Sequence, residues 1–312
     1  ETWLKKEKVA LDGLDKFNRI KQPTNILFNL IFIILSLTCI IPVLLVVAIS
    51  FSSEASINQN GYQFIPSEFS LEGYSFLGNQ IGMIAQALGV SVFVTVVGTV
   101  LGTLLTTLLG YSMSRPNFKL RNVLSWIVFI PMVFNGGLVA TYFVVGNLLG
   151  LRDTIWALIL PLLVSSFNVV ITRTFFKQTI PDSLIESAKI DGARQFTIFF
   201  RIVLPISLPV LATIALFLCF AYWNDWYQSM LYINSANLKS LQALLQSILS
   251  NITALSQQIA TIGASAAQAL ADMPKEAARM AIVVIIVLPI ACAYPFFQKY
   301  FISGLTVGAV KG

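Results

Sequence analysis

The chain of 312 residues is 56% hydrophobic and only 11% charged, with 20 Lys and Arg against 14 Asp and Glu. A soluble domain carries about 25% charged residues, so this composition cannot coat a globular surface of that size and excludes a cytosolic enzyme or a disordered protein. The charges are separated by seven long uncharged stretches, the pattern of a polytopic membrane protein.

A bilayer core needs roughly 20 apolar residues in helical form. Ahead of the first such stretch, residues 1–25 alternate Trp3, Leu4, Val9, Leu11, Leu14, Phe17 and Ile20 with lysines. That alternation predicts an interfacial amphipathic segment, with a partly disordered basic tail as the alternative. The first span is expected at 26–51. Its apolar run of about 25 residues exceeds the 7–15 of a signal-peptide core, so it reads as an anchored helix. The loop 52–83 holds three Glu and no Lys or Arg.

The second span, 84–113, carries Gly98 and Gly102 in a small-xxx-small pattern flanked by Gly89 and Gly110, which lets helices approach closely. The third, 122–147, is weakened around its middle by Pro131 and the Gly136-Gly137 pair. A broken helix lining a cavity or hinge and a plain kink are both open there. The fourth and fifth spans are expected at 154–176 and 204–223, and the last at 280–298. The seventh stretch, 240–271, is rich in Gln, Asn, Ser and Thr, too polar to face lipid without partners. Its apolar residues recur at helical spacing, so it reads as an amphipathic helix outside the bilayer. The chain divides into an N-terminal segment 1–25, a first span with its external loop 26–80, a transmembrane core 81–298 and a tail 299–312.

Sixteen of the twenty Lys and Arg lie in the N-terminal segment, the 115–121 loop, residues 173–203 and the tail. Six spans with both termini in the cytoplasm fit this asymmetry. The net charge of +6 is then a consequence of topology, and no basic patch interleaved with aromatics points to nucleic acid. Cys39, Cys219 and Cys292 each fall inside a predicted span without close spacing, and read as small buried residues. The absence of His removes His-based catalysis, and no G-x-x-x-x-G-K-[ST] run offers an ATP site.

The segment 177–205 is too long for a tight turn. Pro181 and Asp182 mark a helix start, Ser183-x-x-Glu186 fits a capping box, and Gly192 is placed as a C-terminal stop needing a left-handed backbone. A second short helix carries Phe196, Phe199 and Phe200 and ends near Pro205. Two short helices meeting at a glycine make a projecting knob for another protein to grip; an ordinary amphipathic loop is the alternative.

Glu186-Ser-Ala188, Asp191-Gly192-Ala193 and Leu204-Pro205 resemble the E-A-A…D-G-A…L-P signature of bacterial ABC importer permeases, with Ser187 where the pattern usually has Ala. The tail QKYFISGLTVGAVKG and Trp223-Asn224-Asp225-Trp226 resemble the carbohydrate importers of the maltose-permease type, over most of 26–312, and the LQALLQ and PFFQKYF runs resemble the subfamily serving oligosaccharides and polysaccharide fragments. The resemblance implies an all-α, six-span type I ABC importer permease fold in a bacterial cell membrane. It implies a non-catalytic subunit beside a homologous second permease, surrounded by lipid. Two ATP-binding subunits would hold ATP and Mg and dock on the knob, at Glu186, Ala188, Asp191, Gly192, Ala193 and Pro205. An extracellular or periplasmic solute-binding protein would deliver an oligosaccharide. Aromatic faces and amides or carboxylates that could meet a sugar are Asn135, Tyr142, Asn168 and Tyr222, with Trp223, Asn224, Asp225 and Trp226 beyond; an interfacial aromatic belt explains Tyr222, Trp223 and Trp226 equally well. A permease for a non-sugar solute shares the signature, and a secondary transporter would need repeats and intramembrane charges.

Overall fold

The computed structural model describes residues 22–258 and 274–309. The expected interfacial segment before residue 22 and the second half of the expected polar insert lie outside the described residues. Those described form helices, plus a single isolated bridge between Ser52 and Phe69. The first helix, α1 (Gln22–Ser50), is followed by short α2 (Glu54–Asn60) and α3 (Glu72–Gly78), then long α4 (Ile81–Ser114). Next come α5 (Arg121–Val133) and α6 (Gly137–Phe143), the latter running on through a π turn at Val144–Leu148. A short α7 (Trp156–Ile159) tightens to 3-10 at Leu160–Leu162 before α8 (Ser166–Thr179). The knob helices are α9 (Asp182–Ile190) and α10 (Gln195–Ile198), extended by a π segment and by α11 (Leu204–Ile206). Then α12 (Leu208–Trp223), α13 (Tyr227–Tyr232), α14 (Leu241–Gln258) and α15 (Lys275–Ala309) complete the order.

Among the described residues three helices are long and apolar enough to cross a membrane, Gln22–Ser50, Ile81–Ser114 and Lys275–Pro295, and two bent helix pairs raise the number to five. The predicted third span is two short helices instead. Its break falls at 134–136, where Asn135 Oδ1 accepts the Gly137 N–H at 2.9 Å and Gly137 takes a φ of 78°. The predicted fifth span loses its first turn to the knob: the chain bends by 82° at Ser207, between Pro205 and Pro209, and Leu208–Trp223 continues as a helix of 16 residues. Proline lacks an amide donor and clashes with the preceding turn, so two of them four residues apart break the ladder there.

The core is α4, packed against α12 on one side and α8 on the other. The glycines explain how closely. A Cβ on Gly98 would stand 2.4 Å from the Tyr222 ring, one on Gly102 2.7 Å from the Leu163 carbonyl oxygen, and one on Gly110 2.8 Å from Thr172. Gly89 faces open space and belongs to no such contact. The polar stretch is helical from Leu241 to Gln258, with Leu241, Leu245, Ile248 and Ile252 buried against Ile84, Ala278 and Ile282.

The last helix α15 packs against α1, α12 and α3. Its start is capped from a distance: the buried Glu54 carboxylate accepts the N–H of Glu276 at 3.1 Å and of Ala277 at 3.1 Å. These are amides that a helix start leaves without intrahelical partners, and a carboxylate there also meets the positive end of the helix dipole. Helix α1 buries itself among the described residues near its end, at Ile49 and Ser50, whereas residues 22–44 are exposed along their whole length. Cys39 and Cys292 are exposed rather than buried, because each points away from the helix pack, and all three cysteines are free.

Candidate functional site: the knob and the face opposite it

The knob grows from a local rule. Helix α9 starts at Asp182 behind Pro181, which occupies the cap position with an extended backbone and makes no side-chain cap bond. The expected capping box is therefore not formed: Ser183 is already the second helical residue, two positions past the cap. At the other end Asp191 is the cap residue and Gly192 follows with a φ of 83°. The Ala193 N–H donates to Ala188 O at 2.9 Å and the Gly192 N–H to Lys189 O at 3.0 Å. This six-to-one and five-to-two pair defines a Schellman motif, whose apolar contact joins the residue after the glycine to the one three before the cap. Here those residues are Ala193 and Ala188, both packed in the knob's core. The alanines and the glycine of the sequence signature are thus the parts of one helix stop. A Cβ on Gly192 would meet nothing within 4 Å among the described residues, so within this chain the glycine is required by its φ rather than by crowding.

Ile185, Ala188, Ile198, Phe199 and Val203 bury inward with Tyr111, Phe176 and Ile180. Glu186, Lys189 and Pro205 are exposed, and Ile190 and Phe196 on either side of the bend are 86% and 75% exposed. An open groove of about 700 Å³ runs between the end of α4 and the knob, lined by Tyr111, Arg115, Phe118, Glu186, Lys189 and Phe196. One guanidinium ties this region together. Arg115 pairs with Asp182 Oδ1 at 2.9 Å, donates to Phe176 O at 3.2 Å and Ile180 O at 3.3 Å, and lies 5.3 Å from the Tyr111 ring centroid. It joins the ends of α4 and α8 to the start of α9. Sequence reading counts Arg115 only as a topology charge, because its partners lie 61 to 67 residues away.

The sugar candidates lie toward the other end of α12 and on its neighbours. Tyr222 is buried and donates from Oη to Ile159 O at 2.7 Å, satisfying a carbonyl stranded where α7 tightens to 3-10. Trp223 is buried and donates from Nε1 to Ile286 O at 3.3 Å. Both side chains lock helices together. Asn224 is exposed and donates to Phe220 O. Asp225 is half-buried; its Oδ1 accepts the Gln228 N–H at 3.3 Å and its carbonyl accepts the Ser240 hydroxyl at 3.2 Å. Burial pushes the Asp225 carboxyl up to about 6, against the opposing pull of the Gln228 and Tyr227 N–H groups. Trp226 is exposed beside Tyr227. Asn168 is buried within α8, and Asn135 is exposed at its turn.

Tyr142 belongs to a separate cluster, on the same face as residues 224–240. It stacks on Tyr232 with centroids 5.7 Å apart and rings 14° from parallel, and the Arg152 guanidinium lies 4.7 Å over the Tyr142 ring. Asp153, with a positive φ of 58°, clips this loop down. Its carboxylate accepts the N–H of Asn234 at 3.0 Å and of Ser235 at 2.8 Å, together with the Ser235 hydroxyl, which hold it below the usual carboxylate range. Neither Arg152 nor Asp153 carries any local sequence signal for these roles.

Among known proteins, a family described as binding-protein-dependent transport system inner membrane component matches residues 98–307. Protein LplC of Bacillus subtilis (strain 168) is 40% identical over 273 residues, 88% of this chain and 90% of its own. The polygalacturonan/rhamnogalacturonan transport system permease protein YtcP of the same organism is 38% identical over 277 residues, 89% of this chain and 94% of its own. A crystal structure of a bacterial ABC transporter involved in the import of the acidic polysaccharide alginate superposes with a TM-score of 0.76 at 25% identity, covering 91% of this chain and 98% of that one. The family match runs from the middle of the glycine-faced core helix through the knob and the last span, and with it the chain belongs to the family of binding-protein-dependent transport system inner membrane components, the permease subunits of ABC importers.

Proposed function

We propose that this permease imports an oligosaccharide of acidic sugars, in company with a homologous second permease, two ATP-binding subunits and an external solute-binding protein. The observation that supports this most is the superposition with the alginate importer over nine-tenths of the chain, beside a relative named for polygalacturonan and rhamnogalacturonan. The chain crosses the membrane six times with both termini inside, the divided α5–α6 segment serving as one pass. The knob at 182–203 is the coupling element: the ATP-binding subunit grips Ile190 and Phe196 around Gly192, with Glu186 as a charged contact. Nucleotide-driven closure pulls on the knob, and Arg115 passes that pull to α4 and α8. Residues on the opposite face, Asn135, Asn224, Asp225 and Trp226 among them, meet the incoming sugar. The exposed apolar face of α1 packs on the second permease.

Reconstitution in liposomes with all partners tests the reading. ATP-driven uptake of an oligogalacturonide that survives collapse of the ion gradients is expected. Uptake that stops with the gradient, or none at all, would overturn it.

A further inference from the structure

On the face opposite the knob, Arg152, Lys239 and Lys275 have no ion pair among the described residues, and of the three it is Arg152 that lies over an aromatic ring. Arg152 is exposed, and among the described residues it has no ion pair and no hydrogen bond to the chain. The adjacent acid, Asp153, is spent on two backbone amides and a hydroxyl. Asp225, the acid of the neighbouring 224–240 segment, is turned to the Gln228 amide. The guanidinium is nevertheless held still. It lies on the Tyr142 ring, which lies in turn on the buried Tyr232 ring. Gly146 makes the recess, since a Cβ there would stand 2.8 Å from Arg152 Nε. Asp153 fixes the loop on which it is carried, its own N–H donating to Tyr232 O at 2.8 Å.

Such an arrangement has a chemical preference. A guanidinium with one face on an aromatic ring keeps its in-plane N–H groups free, and that edge matches the two oxygens of a carboxylate. Its rotamer entropy is already lost to the stack, so little further ordering opposes binding. A neutral sugar hydroxyl gains far less from the same edge. An arginine that docked a protein surface would reach outward; this one is laid flat in a recess, as a small planar anion requires.

We propose that Arg152, stacked on Tyr142 and Tyr232, is a binding site for the carboxylate of an acidic sugar residue on the external face of the permease. The assignment rests on the uronide reading above, and the test separates the two. The complete importer is reconstituted with wild-type, Arg152→Gln or Arg152→Lys permease. Uptake of radiolabelled trigalacturonate is followed at saturating liganded binding protein, and the affinity of the binding protein for each importer is measured separately. Losing a charge-assisted bidentate pair should slow uptake ten-fold or more in Arg152→Gln. Arg152→Lys, which keeps charge but not the planar fork, should fall between. Affinity for the binding protein should stay within two-fold. Unchanged uptake in Arg152→Gln overturns the assignment alone. So does a parallel loss of binding-protein affinity, which would make Arg152 a protein contact. A wild-type importer that transports other sugars but no trigalacturonate sinks the uronide reading, and the assignment with it.

Discussion

Substitutions at Gly192 separate backbone strain from bulk, because the glycine is wanted for its φ of 83° and an added Cβ meets nothing within 4 Å. A left-handed conformation costs an ordinary residue roughly 1–2 kcal/mol, and Asn much less; a β-branched residue there is a worse outlier still. The inward packing of Ile185, Ile198, Phe199 and Val203 contributes roughly 1.5–3 kcal/mol for each large side chain, so the knob survives the strain. Relief comes instead from shifting residues 191–193, which breaks the two Schellman bonds and re-aims Ile190 and Phe196. At about 1.4 kcal/mol per decade, affinity for the ATP-binding subunit should fall roughly 5- to 30-fold in Gly192→Ala. Gly192→Val should fall further and Gly192→Asn should stay near wild type. Titration of the purified ATP-binding subunit against each variant, with sugar uptake in parallel, reads the series. A Gly192→Asn variant as damaged as Gly192→Val would show that size rather than φ matters. Full binding and transport by Gly192→Val would refute the coupling role altogether.

Glu186→Lys, a charge reversal on the exposed face of α9, should lower co-purification of the ATP-binding subunit while leaving permease yield unchanged; normal co-purification and transport would make Glu186 a mere surface residue. Gly98→Ala drives a methyl against the Tyr222 ring and should cost roughly 1–3 kcal/mol by overpacking. Combined with Tyr222→Leu, thermal unfolding in detergent should reveal less than the sum of the two losses, and strict additivity would deny the contact. Single cysteines at Lys16 and Asn58, in a background lacking Cys39, Cys219 and Cys292, should be labelled by an impermeant reagent at 58 but not at 16; the reverse pattern inverts the topology. A photo-crosslinker at the exposed Gln246 of α14 should capture the solute-binding protein during turnover, and capture of lipid alone would remove that helix from the docking surface.

What could be read in advance follows from the range of the interactions. The knob is legible because its devices are local: a proline start, a glycine stop and a proline exit, all within 25 residues. The glycine face of α4 is visible as a pattern, but which glycine meets which partner is not, and Gly89 meets none. The division of the third span is signalled by Pro131 and Gly136-Gly137, whereas its position depends on the Asn135 turn. Links such as Tyr222 to Ile159 and Asp153 to Ser235 join residues 63 and 82 apart. No periodicity announces them, since each is fixed only once helices have packed. Arg115 and Arg152 look alike in sequence, as loop charges beside spans. The first is saturated with hydrogen-bond partners and the second, among the described residues, has a ring beneath it and no hydrogen bond or ion pair, a difference that only the surroundings decide.

The family match begins at residue 98, yet a fragment cut near that point would not be a smaller version of the same fold. Glu54 lies more than 200 residues from the amides it accepts, and a Cβ on Gly73 would stand 2.7 Å from the Ala277 backbone. Without residues 50–80, the start of the final helix would open bare N–H groups and a flat apolar strip at once. The boundary of the family match and the boundary of the cooperative unit therefore fall in different places, and the longer matches to single relatives, 273 and 277 residues, agree with the second. A minimal version for swapping this permease into another importer has to carry residues 50–80 along with the core.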